Sequence, residues 1–155
     1  MDRGALDAAL ALNFPCCGYC PKGRRAEDGR IADRYPLIET PEWQYPPRTK
    51  LNVQTSTATL ILIRGKHLLD KGTLYTSDLC GQFRRPCFVV DILPAYKPKF
   101  DEQVFLQLVC KFMENELIGF ENYTLNVAGP RESRCVGIQK QAELFVLCCL
   151  QYPNI

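Results

Sequence analysis

Residues 57–63 read TATLILI. The stretch mixes aliphatic and β-branched residues with no polar alternation, the pattern of a strand covered on both faces by other elements. Seven residues are far short of the ~20 that a membrane span needs. Two further stretches read the same way, CFVVDI (87–92) and NYTLNVAG (122–129), and PCCGYC (15–20) is a weaker fourth. Helical periodicity separates them. The opening MDRGALDAALALN places Ala5, Leu6, Ala9 and Leu10 on one side, with Asp2 as a candidate N-cap. A short helix is expected over 49–54. Residues 73–83 align Thr76, Leu79, Cys80 and Phe83. Residues 101–117 align Val104, Phe105, Leu108, Val109, Phe112 and Met113, and residues 133–150 align Ile138, Ala142, Phe145 and Cys149. Strands alternating with helices predict an α/β fold, a Rossmann-like, doubly wound and mostly parallel sheet with helices on both faces. The length of 155 residues predicts one domain, spanning residues 1–155.

The composition narrows the function classes. A net charge of +2 gives no electrostatic case for nucleic acid or a membrane surface as partner. The opening apolar stretch has no basic leader and no cleavage site, so a cytoplasmic location is expected. The nine cysteines are odd in number and several sit in apolar runs, which suits reduced, buried thiols. CCGYC holds a CxxC pair, Cys17 and Cys20, but a structural zinc needs a second ligand pair, and the sole histidine is His67. No nucleophile motif accompanies His67, and no catalytic dyad or triad is evident. The segment 23–47 is polar, Pro-rich and long for a loop, as functional or mobile loops are.

In an open parallel sheet, ligands collect at the carboxyl ends of the strands. Three loops are expected there. CPKGRRAEDG (20–29) follows the weak strand and carries Lys22, Gly23, Arg24 and Arg25, cationic groups suited to phosphate beside a glycine that admits close approach. IRGKHLLDKGTLYT (63–76) opens a helix at Gly72-Thr73, whose N–H groups suit an anion. NVAGPRESRC (126–135) runs from a strand through Gly129, Pro130 and Arg131 to Ser133, a candidate N-cap. A solvated turn or an ordinary capped helix would explain each loop singly. Jointly they predict a pocket for a small, phosphate-bearing or similarly anionic molecule. Tyr75, Tyr35 and Trp43 are candidates to stack on a planar ring, although lone aromatics also serve as core or surface packing.

The motifs DRGALDAALAL, GYCPKGRRAEDGRI, RYPLIETP, RTKLNV, TATLIL, KGT and LNVAGPRESR occur in this order. Together they resemble the molybdenum carrier family, also described as circularly permuted members of the SLOG Rossmann-like superfamily. The resemblance covers nearly the whole chain. It implies binding and protection or transfer of the molybdenum cofactor (molybdopterin), a phosphate-bearing pterin dithiolene held as ligand and not as catalytic group, commonly by a homo-oligomer. Carried over by motif, the cofactor-binding residues are Lys22, Gly23, Arg24, Arg25, Gly72, Thr73, Gly129, Pro130, Arg131 and Ser133. The family carries an N-terminal strand and a glycine-rich loop before the helix that begins Asp-Arg. The chain is therefore expected to be N-terminally truncated relative to the family. It also has Lys71 where the family tends to have glycine.

Two other readings stay open. The same loops suit a nucleotide-binding sensor. Related Rossmann-like families are nucleotide phosphoribohydrolases, with Pro-Gly-Gly-x-Gly-Thr-x-x-Glu and a catalytic carboxylate. Here Asp70-Lys71-Gly72-Thr73 lacks the glycine pair, and Thr76 stands where that Glu would be.

Overall fold

The structure is a computed structural model that describes residues 2–65, 71–92, 107, 109–111, 115 and 122–151. Helix α1 (Asp2–Ala11) leads into strand β1 (Gly18–Cys20) and a single 3-10 turn at Lys22–Arg24. Strands β2 (Arg25–Ala26), β3 (Gly29–Arg30) and β4 (Leu37–Glu39) follow, then α2 (Tyr45–Thr55), β5 (Ala58–Ile63) and α3 (Lys71–Gln82). Strands β6 (Cys87–Asp91) and β7 (Leu125–Ala128) and helix α4 (Ile138–Leu150) complete the described elements. The expected helix over 101–117 lies largely outside the described residues. Within it, residues 107, 109–111 and 115 are helical, and Cys110 is buried in the main core.

β5 is the centre of a three-stranded parallel sheet in the order β6-β5-β7. All six of its residues are buried, as the unbroken apolar run predicts. Ala58, Leu60 and Leu62 share one face with Phe88, Val90 and Ile92 of the β6 segment, packed against Ala8 of α1 and Ile138, Ala142 and Phe145 of α4. The opposite face carries the smaller cluster of Val53, Leu79 and Cys80, from α2 and α3, against Cys87. Helices thus cover both faces of the sheet. The α3 and α4 stripes expected from periodicity are the buried ones.

Three local expectations are corrected. The weak strand β1 is real, but it pairs in parallel with β4 in a separate two-stranded sheet. Its partner comes from the segment expected to be a long loop, which also forms the β2–β3 hairpin. Helix α2 starts at Tyr45 and not at 49, because Pro46 and Pro47 fall in the first turn, where a missing N–H costs nothing. Helix α4 starts at Ile138 and not at Ser133. The carboxylate of Glu132 accepts from the N–H groups of Gly137 (2.5 Å) and Gln139 (3.0 Å), so a glutamate, not the serine, satisfies its first turn.

Helix α1 buries Gly4, Ala8 and Ala9, while Leu10 faces out. The small residues let α1 lie directly on α4. A Cβ at position 4 would stand 2.2 Å from the backbone oxygen of Gln139. Gly4→Ala therefore forces the two helices apart. Overpacking of this kind costs about 1–3 kcal/mol, against a helix-propensity gain of about 1 kcal/mol. A net fall in urea midpoint is expected, and an unchanged or raised midpoint would contradict the close packing.

Burial alone would raise the Glu132 carboxyl, but the N–H groups of Gln139 and Gly137 hold it below its ordinary 4.5. A carboxyl lowered by folding contributes stability above its unfolded value and loses it as pH falls through the lowered one. Glu132→Ala is expected to cost about 1 kcal/mol near pH 7. The gap to the parent should narrow as pH drops below 4.5, measured by urea denaturation. A gap independent of pH would contradict the carboxylate cap.

Candidate functional site

The strands of the parallel sheet end at one edge, and a cleft opens there. It is about 360 Å³ and lies between the first turns of α2 and α3 and the exit of β7. Tyr45, Arg48, Thr49 and Asn52 line it from α2. Lys71, Gly72, Tyr75 and Thr76 line it from α3. Asn126, Ala128, Gly129 and Arg131 line it from β7 and its loop, and Asp2 closes one end. Among the described residues, three cationic side chains, Arg48, Lys71 and Arg131, thus face one carboxylate, Asp2. Asp2 is paired with Arg48 at 2.5 Å. Burial opposes its charge, but the Arg48 guanidinium, together with the charge of the N-terminal amine and a backbone hydrogen bond, holds the Asp2 carboxyl below its ordinary value. Among the described residues the Arg48 Nε is enclosed and finds no acceptor.

The ten residues expected from sequence divide. Gly72, Gly129 and Arg131 line the cleft. Arg25 reaches it through the Tyr45 ring, its Cζ 5.1 Å from the centroid. Thr73 and Pro130 are buried behind these residues. Lys22 and Gly23 are exposed and absent from the cleft wall. The Gly23 N–H donates to the Glu39 carboxylate at 2.5 Å, so the chain's own anion sits at that turn. Ser133 donates to Glu27 at 2.7 Å, and Arg131 reaches the same oxygen at 3.4 Å.

Arg24 turns inward. Its Nε donates to the Ile31 carbonyl (3.1 Å) and its Nη1 to that of Leu37 (3.3 Å). Its Nη2 donates to the carbonyls of Ala32 (2.9 Å) and Tyr35 (2.8 Å). Four of the five guanidinium N–H groups are therefore committed to backbone. Gly23 at φ 73° and Arg24 at φ 53° together make the left-handed turn that sends this side chain under the loop. The guanidinium gathers residues 31–37, and the Tyr35 hydroxyl donates to Asp7 of α1 at 2.8 Å. The segment expected to be a long loop is thus organised around one buried cation. Asn52 adds a second brace. Its Oδ1 accepts from the Tyr19 N–H (2.8 Å) and its Nδ2 donates to the Tyr19 carbonyl (3.2 Å), serving the edge of β1 as a neighbouring strand would.

The sequence reading missed Tyr45, Arg48 and Asn126. Arg48 and Tyr45 flank two prolines, which disguised the start of α2. Of the aromatics it named, Tyr75 lines the cleft, Tyr35 is buried, and Trp43 is exposed with Arg25 stacked at 4.8 Å. His67 and the centre of the second loop, residues 66–70, lie outside the described residues.

Comparison with known proteins gives two matches. Residues 1–150 match the model of the circularly permutated YpsA SLOG family. The 1.45 Å crystal structure of a "Putative molybdenum carrier protein" from Syntrophus aciditrophicus SB is similar at 30% sequence identity. The match covers 97% of this chain and 87% of that one, with a TM-score of 0.79. No curated protein matches.

Arg24→Ala takes a donor from four backbone carbonyls, of which Ala32 and Tyr35 keep a backbone N–H partner (from Tyr35 at 3.4 Å and Leu37 at 2.8 Å) and Ile31 and Leu37 lose the guanidinium without that support. The expected loss is about 3 kcal/mol in urea denaturation, because buried polar groups without partners each cost about 1–3 kcal/mol and the loop relaxes to rehydrate some of them. A variant as stable as the parent would contradict the inward assignment.

Proposed function

The chain belongs to the circularly permutated YpsA SLOG family, and from that premise we propose that the cleft binds a phosphate-bearing small molecule. The ligand we propose is the molybdenum cofactor, and the role is carriage and not turnover. The observation that carries this reading is the meeting of Arg48, Lys71 and Arg131 on one cleft at the first turn of α3. Helix N-termini with cationic neighbours suit phosphate. Arg25, Gly72, Gly129 and Arg131, all expected from the sequence, are joined in this role by Tyr45, Arg48 and Lys71. The similar structure's name supplies the molybdenum. No cysteine lines the cleft among the described residues. A dithiolene brings its own sulfur ligands to the metal, so carriage needs no thiolate from the protein. Tyr45 and Tyr75 offer ring faces to a planar pterin.

The hydrolase reading has less support. Thr76 lines the cleft where a phosphoribohydrolase would have glutamate, and its hydroxyl donates back to the Gly72 carbonyl at 3.0 Å. The carboxylate of Asp2 is held by Arg48. Neither is placed as a base or as a partner for an oxocarbenium-like state.

Titration with molybdopterin-bound molybdenum, followed by pterin fluorescence after oxidation and by elemental analysis, tests the reading. The parent is expected to bind pterin and molybdenum together. Arg131→Ala should weaken binding about tenfold or more, since hydrogen bonds to charged groups are the strong ones. Lys22→Ala should leave it unchanged. No binding by the parent, or equal binding by Arg131→Ala, would overturn the assignment, and release of free base from a nucleoside monophosphate would return the hydrolase.

A further inference from the structure

Three guanidinium groups from three separate segments surround one ring. The Tyr45 centroid lies 4.7 Å from Cζ of Arg131, 5.1 Å from Cζ of Arg25 and 5.9 Å from Cζ of Arg48. Arg25 comes from β2, Arg48 from α2 and Arg131 from the loop after β7. Like charges so close repel, and few other contacts hold them. Among the described residues Arg25 makes one hydrogen bond, to the Trp43 carbonyl at 3.4 Å on the surface, and stacks at 4.8 Å on the exposed Trp43 ring. Arg131 makes one, to Glu27, also at 3.4 Å and exposed. These are long contacts in water and worth little. The π faces of the ring offset the repulsion, since a guanidinium within about 6 Å of a ring centroid is attracted to its quadrupole. Arg48 is anchored separately by Asp2, and Arg25 is held on its other side by the Trp43 ring, so Tyr45 is the ring that Arg25 and Arg131 share.

We propose that Tyr45 is the positioning residue that holds Arg25 beside Arg131 at the mouth of the cleft, and that this pairing selects doubly charged phosphate groups over singly charged ones. The inference rests on the anion-binding reading of the same cleft. A phosphate monoester carries charge for two guanidinium partners, whereas a diester carries one. The ring sets the separation of the two cations before the ligand arrives, so the ligand does not have to overcome their repulsion on entry. Nothing in this role needs the phenolic hydroxyl.

The test is isothermal titration with pyrophosphate, alongside NMR titration with methyl phosphate and dimethyl phosphate at pH 8. The parent is expected to bind pyrophosphate and to prefer the monoester. Tyr45→Phe should match the parent within about twofold, and Tyr45→Leu should lose about tenfold for pyrophosphate, since the ring that Arg25 and Arg131 share is removed along with its weaker contact to Arg48. The monoester preference should fall in Tyr45→Leu and return in Tyr45→Phe, which a purely structural role would not produce. Should Tyr45→Leu fail to fold, phenylalanines of increasing fluorination at position 45 keep the shape and weaken the quadrupole, and affinity should fall stepwise with fluorine count. Equal affinity and equal preference in Tyr45→Leu, or no trend along the fluorinated series, overturns the role of Tyr45 alone. Failure of the parent to bind any of the three anions overturns the anion-binding reading and this inference with it.

Discussion

Parallel pairing of β6, β5 and β7 is the constraint on which the rest depends. Parallel strands end at one edge, so the chain leaves β5 and β7 on the same side of the sheet. Burial of β5 on both faces fixes the register, because a one-residue slip would exchange the residues facing α1 and α4 for those facing α2 and α3. The cleft is the space left where the first turns of α2 and α3 meet the β7 exit. Its cations are placed by backbone geometry before any ligand contact is considered.

The chain's own carboxylates occupy much of its anion-binding capacity. Glu39 takes the Gly23 N–H, Glu132 takes the start of α4, and Glu27 takes Ser133 and shares Arg131. These contacts close the first loop and the start of α4, and leave the α3 side, where, among the described residues, Arg48, Lys71 and Arg131 outnumber Asp2. Within the cluster that reads as a phosphate site on paper, Glu39 takes the Gly23 N–H and four backbone carbonyls take Arg24, while Lys22 stays exposed. The internal pairs also set a competition. A ligand that reaches Arg131 works against Glu27, an exposed and long contact that water and salt already weaken.

Much of the architecture was legible in the sequence, since buried strands and helical stripes are written in apolar spacing. β5, β6 and β7 fall within one to three residues of their expected limits. The β1–β4 sheet was not legible on the β4 side. Leu37, Ile38 and Glu39 make too short a run to signal a strand, and the pairing is fixed by Arg24 gathering residues 31–37 from beneath. No one-dimensional pattern separates an arginine aimed at solvent from one aimed at four carbonyls, so Arg24 and Arg25, neighbours in sequence, were read alike although one is buried and one exposed. Tyr45 was hidden for a related reason. Its value lies in three arginines that are far apart in sequence and meet only in the fold.

Crystals soaked in tungstate, an oxyanion with a strong anomalous signal, test the central claim most directly. The account predicts one dominant peak in the α2–α3–β7 cleft, within hydrogen-bonding reach of the Arg131 guanidinium and the first turn of α3. A peak at the Gly23 turn beside Lys22, with the cleft empty, would contradict it.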